Sequence, residues 1–291
     1  MIGVNLMKAY IWKLLLIILI FILILTFILK LNIVKAKENS QIKLPIIMYH
    51  SFLKDTARSG EYVITPDTFE KDLIYLKQNN YHTITMTDLI NYVYNDIKLP
   101  PNPIILTFDD GCYNNLGYAV PLLKKYHMKA VISIVGSYTD NYSKTNEVNL
   151  NYSYLRWSDI KVMLQDGTIE FQNHTYSLHS NNSKRSGSMK RKNESIESYR
   201  KVLEEDIMKL QEEFKTFTGY LPNTFTYPYG EISKESIPII KEMGFKASLS
   251  CNSGINKITK DPECLYCLKR YNRPSNITTN DFFTKIEKAL L

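Results

Sequence analysis

The sequence predicts an α/β fold in which helices cover a parallel sheet. Two observations carry this. Short apolar runs bounded by turn residues alternate with segments of helical periodicity along most of the chain. His50, Asp109, His174 and Tyr229 each sit just after a predicted strand, where a barrel of alternating strands and helices carries its active site.

Residues 44–49 read as a first buried strand ending at His50. Thr65-Pro66-Asp67 opens a helix: Thr caps it, Pro takes the first turn and Asp favours the dipole. Phe69, Leu73 and Leu76 give that helix an apolar face. A short strand over 81–85 and a helix over 88–95 follow. Pro100-Pro101-Asn102-Pro103 then leads into Ile104-Ile105-Leu106, a buried strand closed by Thr107-Phe108-Asp109-Asp110-Gly111. A helix over 115–127, a strand over 130–135 and an Asn/Tyr/Ser-rich loop over 137–154 come next. The helix over 157–165 stops at Gly167, and a strand over 168–171 delivers His174. Residues 180–195 are a basic, low-complexity loop. A long amphipathic helix spans 196–217. The strand over 224–227 leads into Pro228-Tyr229-Gly230. A helix over 233–243 ends at Gly244, a strand follows over 245–249, and Asp281 caps a final helix. There are no internal repeats.

The 291 residues, 44% of them hydrophobic, suffice for one large domain or two small ones. The net charge of +7 suggests attraction to anionic surfaces, and no nucleic-acid motif accompanies it. Residues 14–29 are apolar apart from Thr26. With Leu31 and Ile33 they approach the length of a transmembrane helix. Lys8 and Lys13 would keep the amino terminus inside. The alternative is a signal peptide cleaved at Val34-Lys35-Ala36, before Lys37. The anchor is the favoured reading, and either way residues 38–291 lie outside the cytoplasm. The expected organisation is therefore an anchor or signal over 1–37, a polar linker over 38–43 and one folded domain over 44–291. Four cysteines, Cys112, Cys251, Cys264 and Cys267, leave connectivity open. Cys264-x-x-Cys267 reads as a redox pair, half a zinc site or a local disulfide.

Adjacent carboxylates at a strand end are costly without a cation or a shared proton. Downstream lies His174-Thr175-Tyr176-Ser177-Leu178-His179. Two imidazoles and one carboxylate make a three-ligand metal set with a position open for water, and the second carboxylate can serve as base. T-F-D-D-G followed by H-T-x-x-x-H resembles the NodB-homology polysaccharide deacetylases, carbohydrate esterase family 4, over roughly residues 44–275. The resemblance implies an incomplete, distorted (β/α) barrel of about seven strands. It implies Asp110, His174 and His179 as ligands of one divalent ion, with zinc ahead of cobalt, nickel or iron. Asp109 becomes the general base. Thr226-Tyr227-Pro228-Tyr229-Gly230 matches the family's R-x-P-Y motif except that Thr226 stands for Arg, and the Tyr229 N–H is expected to bind the oxyanion.

The family's L-x-H motif is met only by Leu268-Lys269-Arg270, so its acid is missing. Together with Met48-Tyr49-His50-Ser51, this pattern resembles the poly-β-1,6-N-acetylglucosamine deacetylase subgroup. There the acid comes from the first strand, so His50 is the expected acid and Arg270 the cation lost at Thr226. The implied function is metal-dependent N-deacetylation of a cell-surface GlcNAc polymer by a monomer. Peptidoglycan is the alternative substrate, and a non-catalytic glycan-binding protein the lesser alternative. His82 reads as a surface residue, His127 as a helix-end cation and Trp157 as core. Tyr113 and Tyr176 are candidates to line a sugar groove.

Overall fold

A computed structural model describes residues 12–13, 15–27, 29–30, 41–145, 148–181 and 185–291. Eight strands build its main sheet: β1 (Ile46–Tyr49), β2 (His82–Thr83), β3 (Pro103–Phe108), β4 (Ala130–Ile134), β5 (Ile169–Asn173), β6 (Thr224–Thr226), β7 (Ala247–Leu249) and β8 (Tyr271–Asn272). Seven lie in the order β7-β6-β5-β4-β3-β1-β8, and β2 pairs with the start of β3. Every pairing is parallel. Strands β1, β3, β4 and β5 are buried at every position, as expected for a parallel sheet covered by helices. The seven-strand expectation is met.

The sheet curls without closing into a continuous ladder. Across the gap between edge strands β7 and β8, the segment before β8 bridges Leu249 at Leu268: the Leu268 N–H donates to the Ser248 carbonyl at 2.8 Å, the Ser250 N–H to the Leu268 carbonyl at 2.9 Å and the Arg270 N–H to the Asn252 carbonyl at 2.8 Å. Arg270 therefore enters at the seam.

The helices are α1 (Pro66–Gln78), α2 (Met86–Asn95), α3 (Val120–Tyr126), α4 (Gly136–Ser143), α5 (Trp157–Asp166), α6 (Ile196–Thr218), α7 (Ser236–Glu242) and α8 (Thr279–Leu290). Thr65 caps α1 by accepting from the Thr68 N–H, with Pro66 in the first turn, as the sequence indicated. Trp157 is core. His127 ends α3 in the left-handed conformation, and His82 is an exposed residue whose ring meets the Pro101 carbonyl.

Two local expectations are corrected. Residues 137–154 are not all loop, because α4 occupies the first part. Its eight residues carry little helical periodicity; the chain folds there because the first N–H groups find partners on the loop after β5. The cap of α8 is Thr278, whose hydroxyl accepts from the Asp281 N–H. Asp281 sits one turn in and accepts from that hydroxyl.

A buried clasp fixes the start of α8 to the barrel. Arg273 donates to both oxygens of Asp72 on α1, at 2.9 and 3.1 Å. Tyr49 and Thr279 donate to the same carboxylate. Such a pair offsets its desolvation only when the remaining donors are met. Here Arg273 also reaches the Pro274 and Ile277 carbonyls.

Contacts divide the chain into Met1–Ile42 and Lys43–Leu291. Residues 15–27 are helical with exposed side chains. Among the described residues no helix is long and apolar enough to cross a membrane. Positions 14, 28 and 31–33 of that segment, and the cleavage sequence at 34–37, lie outside the described residues. All four cysteines are unpaired.

Candidate active site

Strand β3 ends at Phe108 and delivers two carboxylates in different directions. Asp110 has φ +71° and Gly111 φ +72°, a left-handed pair that turns the chain sharply. A side chain at Gly111 would also strike Ile134, so glycine is required there.

Asp109 turns into the barrel and is 2% exposed. Arg270, fully buried, meets it with two parallel bonds: Nη1 to Oδ1 at 2.7 Å and Nη2 to Oδ2 at 2.8 Å. A guanidinium fork is shaped for that bidentate contact. Arg270 also donates to the Ser250 carbonyl and the Thr107 hydroxyl, and lies 3.8 Å from Cys251 Sγ. Burial pushes the Asp109 carboxyl up. The Arg270 charge, followed by His174 and the Arg270 bonds, outweighs burial and leaves the pKa below the usual value.

The sequence places Thr at 226 where the family has Arg. Thr226 is buried, and its hydroxyl pairs with Ser133 at 2.7 Å inside the barrel. Its carbonyl takes the Nδ1 of His174 at 2.8 Å. That bond fixes the tautomer and leaves Nε2 with its lone pair toward Asp110. His179 is oriented similarly, with Nδ1 3.3 Å from the Tyr229 hydroxyl.

Asp110 Oδ1 lies 3.5 Å from His174 Nε2 and 3.1 Å from His179 Nε2. It is buried, yet its geometry to both nitrogens makes no hydrogen bond. One ligand atom from each residue falls within 4.8 Å of the others. An orphaned carboxylate oxygen facing two imidazole nitrogens fits a divalent cation. Burial raises the Asp110 pKa, and the two histidines bring it well below the usual range.

The loop between the two histidines is clamped from three sides. Thr175 has φ +70°, unusual for a β-branched residue and a cost of about 1–3 kcal/mol. Its N–H donates to Asn173 Oδ1. Asp206 on α6 accepts from the Tyr176 N–H at 2.7 Å, and from the Ser177 N–H and hydroxyl at 2.8 Å each. The first N–H groups of α4, at Gly136 and Ser137, donate to the carbonyls of Thr175 and Tyr176. A side chain at Gly136 would strike Tyr176 and Leu210, so α4 approaches this closely only with glycine.

His50 follows β1. Its Nδ1 is buried without a partner, and its ring packs edge-on against Tyr62 at 4.8 Å. Burial lowers its pKa, opposed by the charges of Asp109 and Asp110. Tyr229 has φ +58°, is half exposed, and lies against His179. Tyr138 covers another edge of His179. Tyr176 is not a groove residue: its hydroxyl bonds Asp140 and Lys209 caps its ring. Tyr113 packs against the core.

The structure thus gathers Asp109, Asp110, His174, His179, His50 and Tyr229 at the carboxyl ends of the strands, and the side chain of Arg270, which precedes β8, reaches Asp109 there. The sequence reading missed Asp206, Asn173 and Tyr138. Asp206 had a signal: it stands among Tyr199, Leu203, Ile207 and Leu210 on the apolar face of α6, where an unpaired carboxylate would not be tolerated.

A family model described as polysaccharide deacetylase matches residues 96–248. The chain belongs to the polysaccharide deacetylase family. A poly-beta-1,6-N-acetyl-D-glucosamine N-deacetylase of Staphylococcus epidermidis is 25% identical over 246 residues, 84% of this chain and 78% of that protein. Among solved structures, a de-N-acetylase from Aggregatibacter actinomycetemcomitans aligns with a TM-score of 0.70 at 24% identity, over 85% of this chain and 99% of the other. IcaB from Ammonifex degensii aligns at 0.68 and 22%, over 86% and 97%. At those identities the structures speak for the fold. The polysaccharide deacetylase barrel is thus shared, and its site is furnished as described above.

Replacing Asp206 with Asn puts an N–H₂ group against N–H donors. If Asp110, His174 and His179 hold a divalent ion, Asp206→Asn should weaken its binding about 10–100-fold, the usual effect of losing a group that orients metal ligands. Competition with a chelator measures this. Unchanged affinity would make the clamp irrelevant to the site.

Proposed function

We propose that this polysaccharide deacetylase removes N-acetyl groups from poly-β-1,6-N-acetylglucosamine at the cell surface, using one divalent metal ion. The observation that carries the chemistry is a buried, Arg-paired Asp109 beside three converging donors. The S. epidermidis relative, aligned over most of both chains, supports the choice of polymer.

Asp110, His174 and His179 would hold the ion. Two imidazoles and a carboxylate favour zinc, with cobalt, nickel or iron as the other fits. When bound, the ion supplies Lewis acidity and lowers the pKa of water. Asp109 takes the proton of the attacking water, held ionised and aimed by Arg270. The Tyr229 N–H is assigned to the carbonyl oxygen as charge develops there. The leaving amine needs a proton, because an amide anion is a very poor leaving group. Arg270 cannot give one up at neutral pH. His50 can, and burial makes its protonated ring a stronger acid. The same chemistry on peptidoglycan is the competing reading. Retention of Asp109 and all three donors argues against a merely glycan-binding protein.

Acetate release from purified β-1,6-GlcNAc polymer and from peptidoglycan, measured side by side, should favour the first. Preference for peptidoglycan would overturn the substrate assignment. His50→Ala should keep its metal but lose roughly 10²-fold or more on the amide, and much less on an activated ester. Undiminished amide turnover would sink the role of His50.

We further propose that residues 14–33 anchor the chain, with 38–291 outside. The apolar run behind Lys8 and Lys13 supports this. Detergent should be required for extraction, and a chain beginning at Lys37 in the medium would contradict it.

A further inference from the structure

At the carboxyl end of β1 the Asp109 N–H donates to the Tyr49 carbonyl, and the Arg273 N–H to the Met48 carbonyl, each at 3.0 Å. His50 comes next, and its carbonyl is met by a side chain: Asn115 Nδ2 donates to it at 2.8 Å. Asn115 is fully buried. The neighbouring Asn114, also buried, takes the two residues that follow His50. Its Oδ1 accepts from the Phe52 N–H at 3.0 Å, and its Nδ2 donates to the Ser51 hydroxyl at 2.9 Å. Two consecutive asparagines thus tie down three consecutive residues, His50 to Phe52.

Both asparagines stand at the start of a widened helical turn over 115–119, in which the Val120 N–H reaches the Asn115 carbonyl five residues back. Turns of this kind are rare and recur at functional sites. Asn115 follows Asp109 by six positions, so one short segment supplies the base, a metal donor and the hold on His50. The orientation of the Asn115 amide is fixed, because its NH₂ must face the His50 carbonyl. Its Oδ1 is then buried without a partner, and so is His50 Nδ1. An acid must carry its proton, and a protonated imidazole has an N–H on both nitrogens. In that state Nδ1 needs an acceptor, since a buried donor left unmet is costly. The Tyr62 ring, edge-on at 4.8 Å, holds another side of the imidazole.

We propose that Asn115 is the positioning residue for the proton donor. Its Nδ2 fixes the backbone from which the His50 ring projects, and its Oδ1 is the acceptor for the Nδ1–H of the protonated ring. Nε2 is left for the leaving amine. As the C–N bond breaks, its electron pair stays on nitrogen, the Nε2 proton joins it, and the ring is left neutral with its Nδ1–H in place. The proposal rests on the reading of His50 as the acid and adds the residue that aims it.

The test is acetate release by the metal-loaded full chain from a β-1,6-linked N-acetylglucosamine oligomer and from 4-nitrophenyl acetate, whose leaving group needs no proton. In Asn115→Leu, kcat on the amide should fall about 10–100-fold, the size of effect that a misplaced reacting group has. KM on the amide, kcat on the ester and metal content should be nearly unchanged. In a His50→Ala background the same substitution should cost the amide rate nothing further, because residues that act as a unit do not add. Asn115→Ser, too short to reach the His50 carbonyl, should show the same split and decides the matter if the leucine variant folds poorly. Equal losses on amide and ester, or a full further loss on top of His50→Ala, would reduce Asn115 to a structural role and overturn the proposal. An impaired His50→Ala beside unimpaired Asn115 variants contradicts the positioning role alone. Undiminished amide turnover in His50→Ala contradicts the acid assignment and the positioning role together.

Discussion

The bidentate pair between Asp109 and Arg270 is the constraint on which the site depends. Neither side chain is accessible, and burying either alone would cost several kcal/mol. The pair is tolerable because each of the five N–H donors of the guanidinium has a partner: two on Asp109, one on the Ser250 carbonyl, one on the Thr107 hydroxyl and one toward Cys251 Sγ. Its consequence is chemical. A buried carboxylate alone would hold its proton and could not take one from water. Arg270 reverses that, and the fork fixes which way the carboxylate faces.

The same pair explains Thr226. Thr107, Ser133 and Thr226 line the barrel just below the site with small hydroxyl side chains, two of them bonded to each other. Arg270 enters from the seam between β7 and β8 and donates to the third. An Arg at 226 as well would bring two cations to one carboxylate. Moving the cation to position 270 frees the β6 end, where the Thr226 carbonyl orients His174. The two histidines of the candidate metal site are held by a second device, a strained loop whose backbone groups are taken up by Asn173, Asp206 and the start of α4. Strain of this kind persists only where the surroundings over-determine it.

Much of this was legible in the sequence because it lies in local signals. The apolar run Ile104-Ile105-Leu106 before Asp109 marked a buried parallel strand, and Thr65-Pro66-Asp67 marked a helix start. The resemblance carried by T-F-D-D-G and H-T-x-x-x-H paired Asp110 with His174 and His179. What escaped depends on contacts distant in sequence. Helix α4 forms because its first N–H groups meet a loop some forty residues away. Asp206 reads as one more charge on a charged helix until its position on the apolar face is counted. The Arg270 contact joins residues 161 positions apart, and only the incomplete closure of the sheet brings them together.

The central claim is that Asp109 and Arg270 act as one buried unit. A double-mutant cycle on the unfolding free energy tests it most directly, with Asp109→Asn, Arg270→Met and the two combined. Each single change leaves a partner buried and unpaired and should cost about 3–5 kcal/mol. The combined variant should be clearly more stable than the sum of the two losses predicts, with a coupling of about 1.5 kcal/mol or more, within the usual range for residues in contact. Losses that simply add would contradict the account.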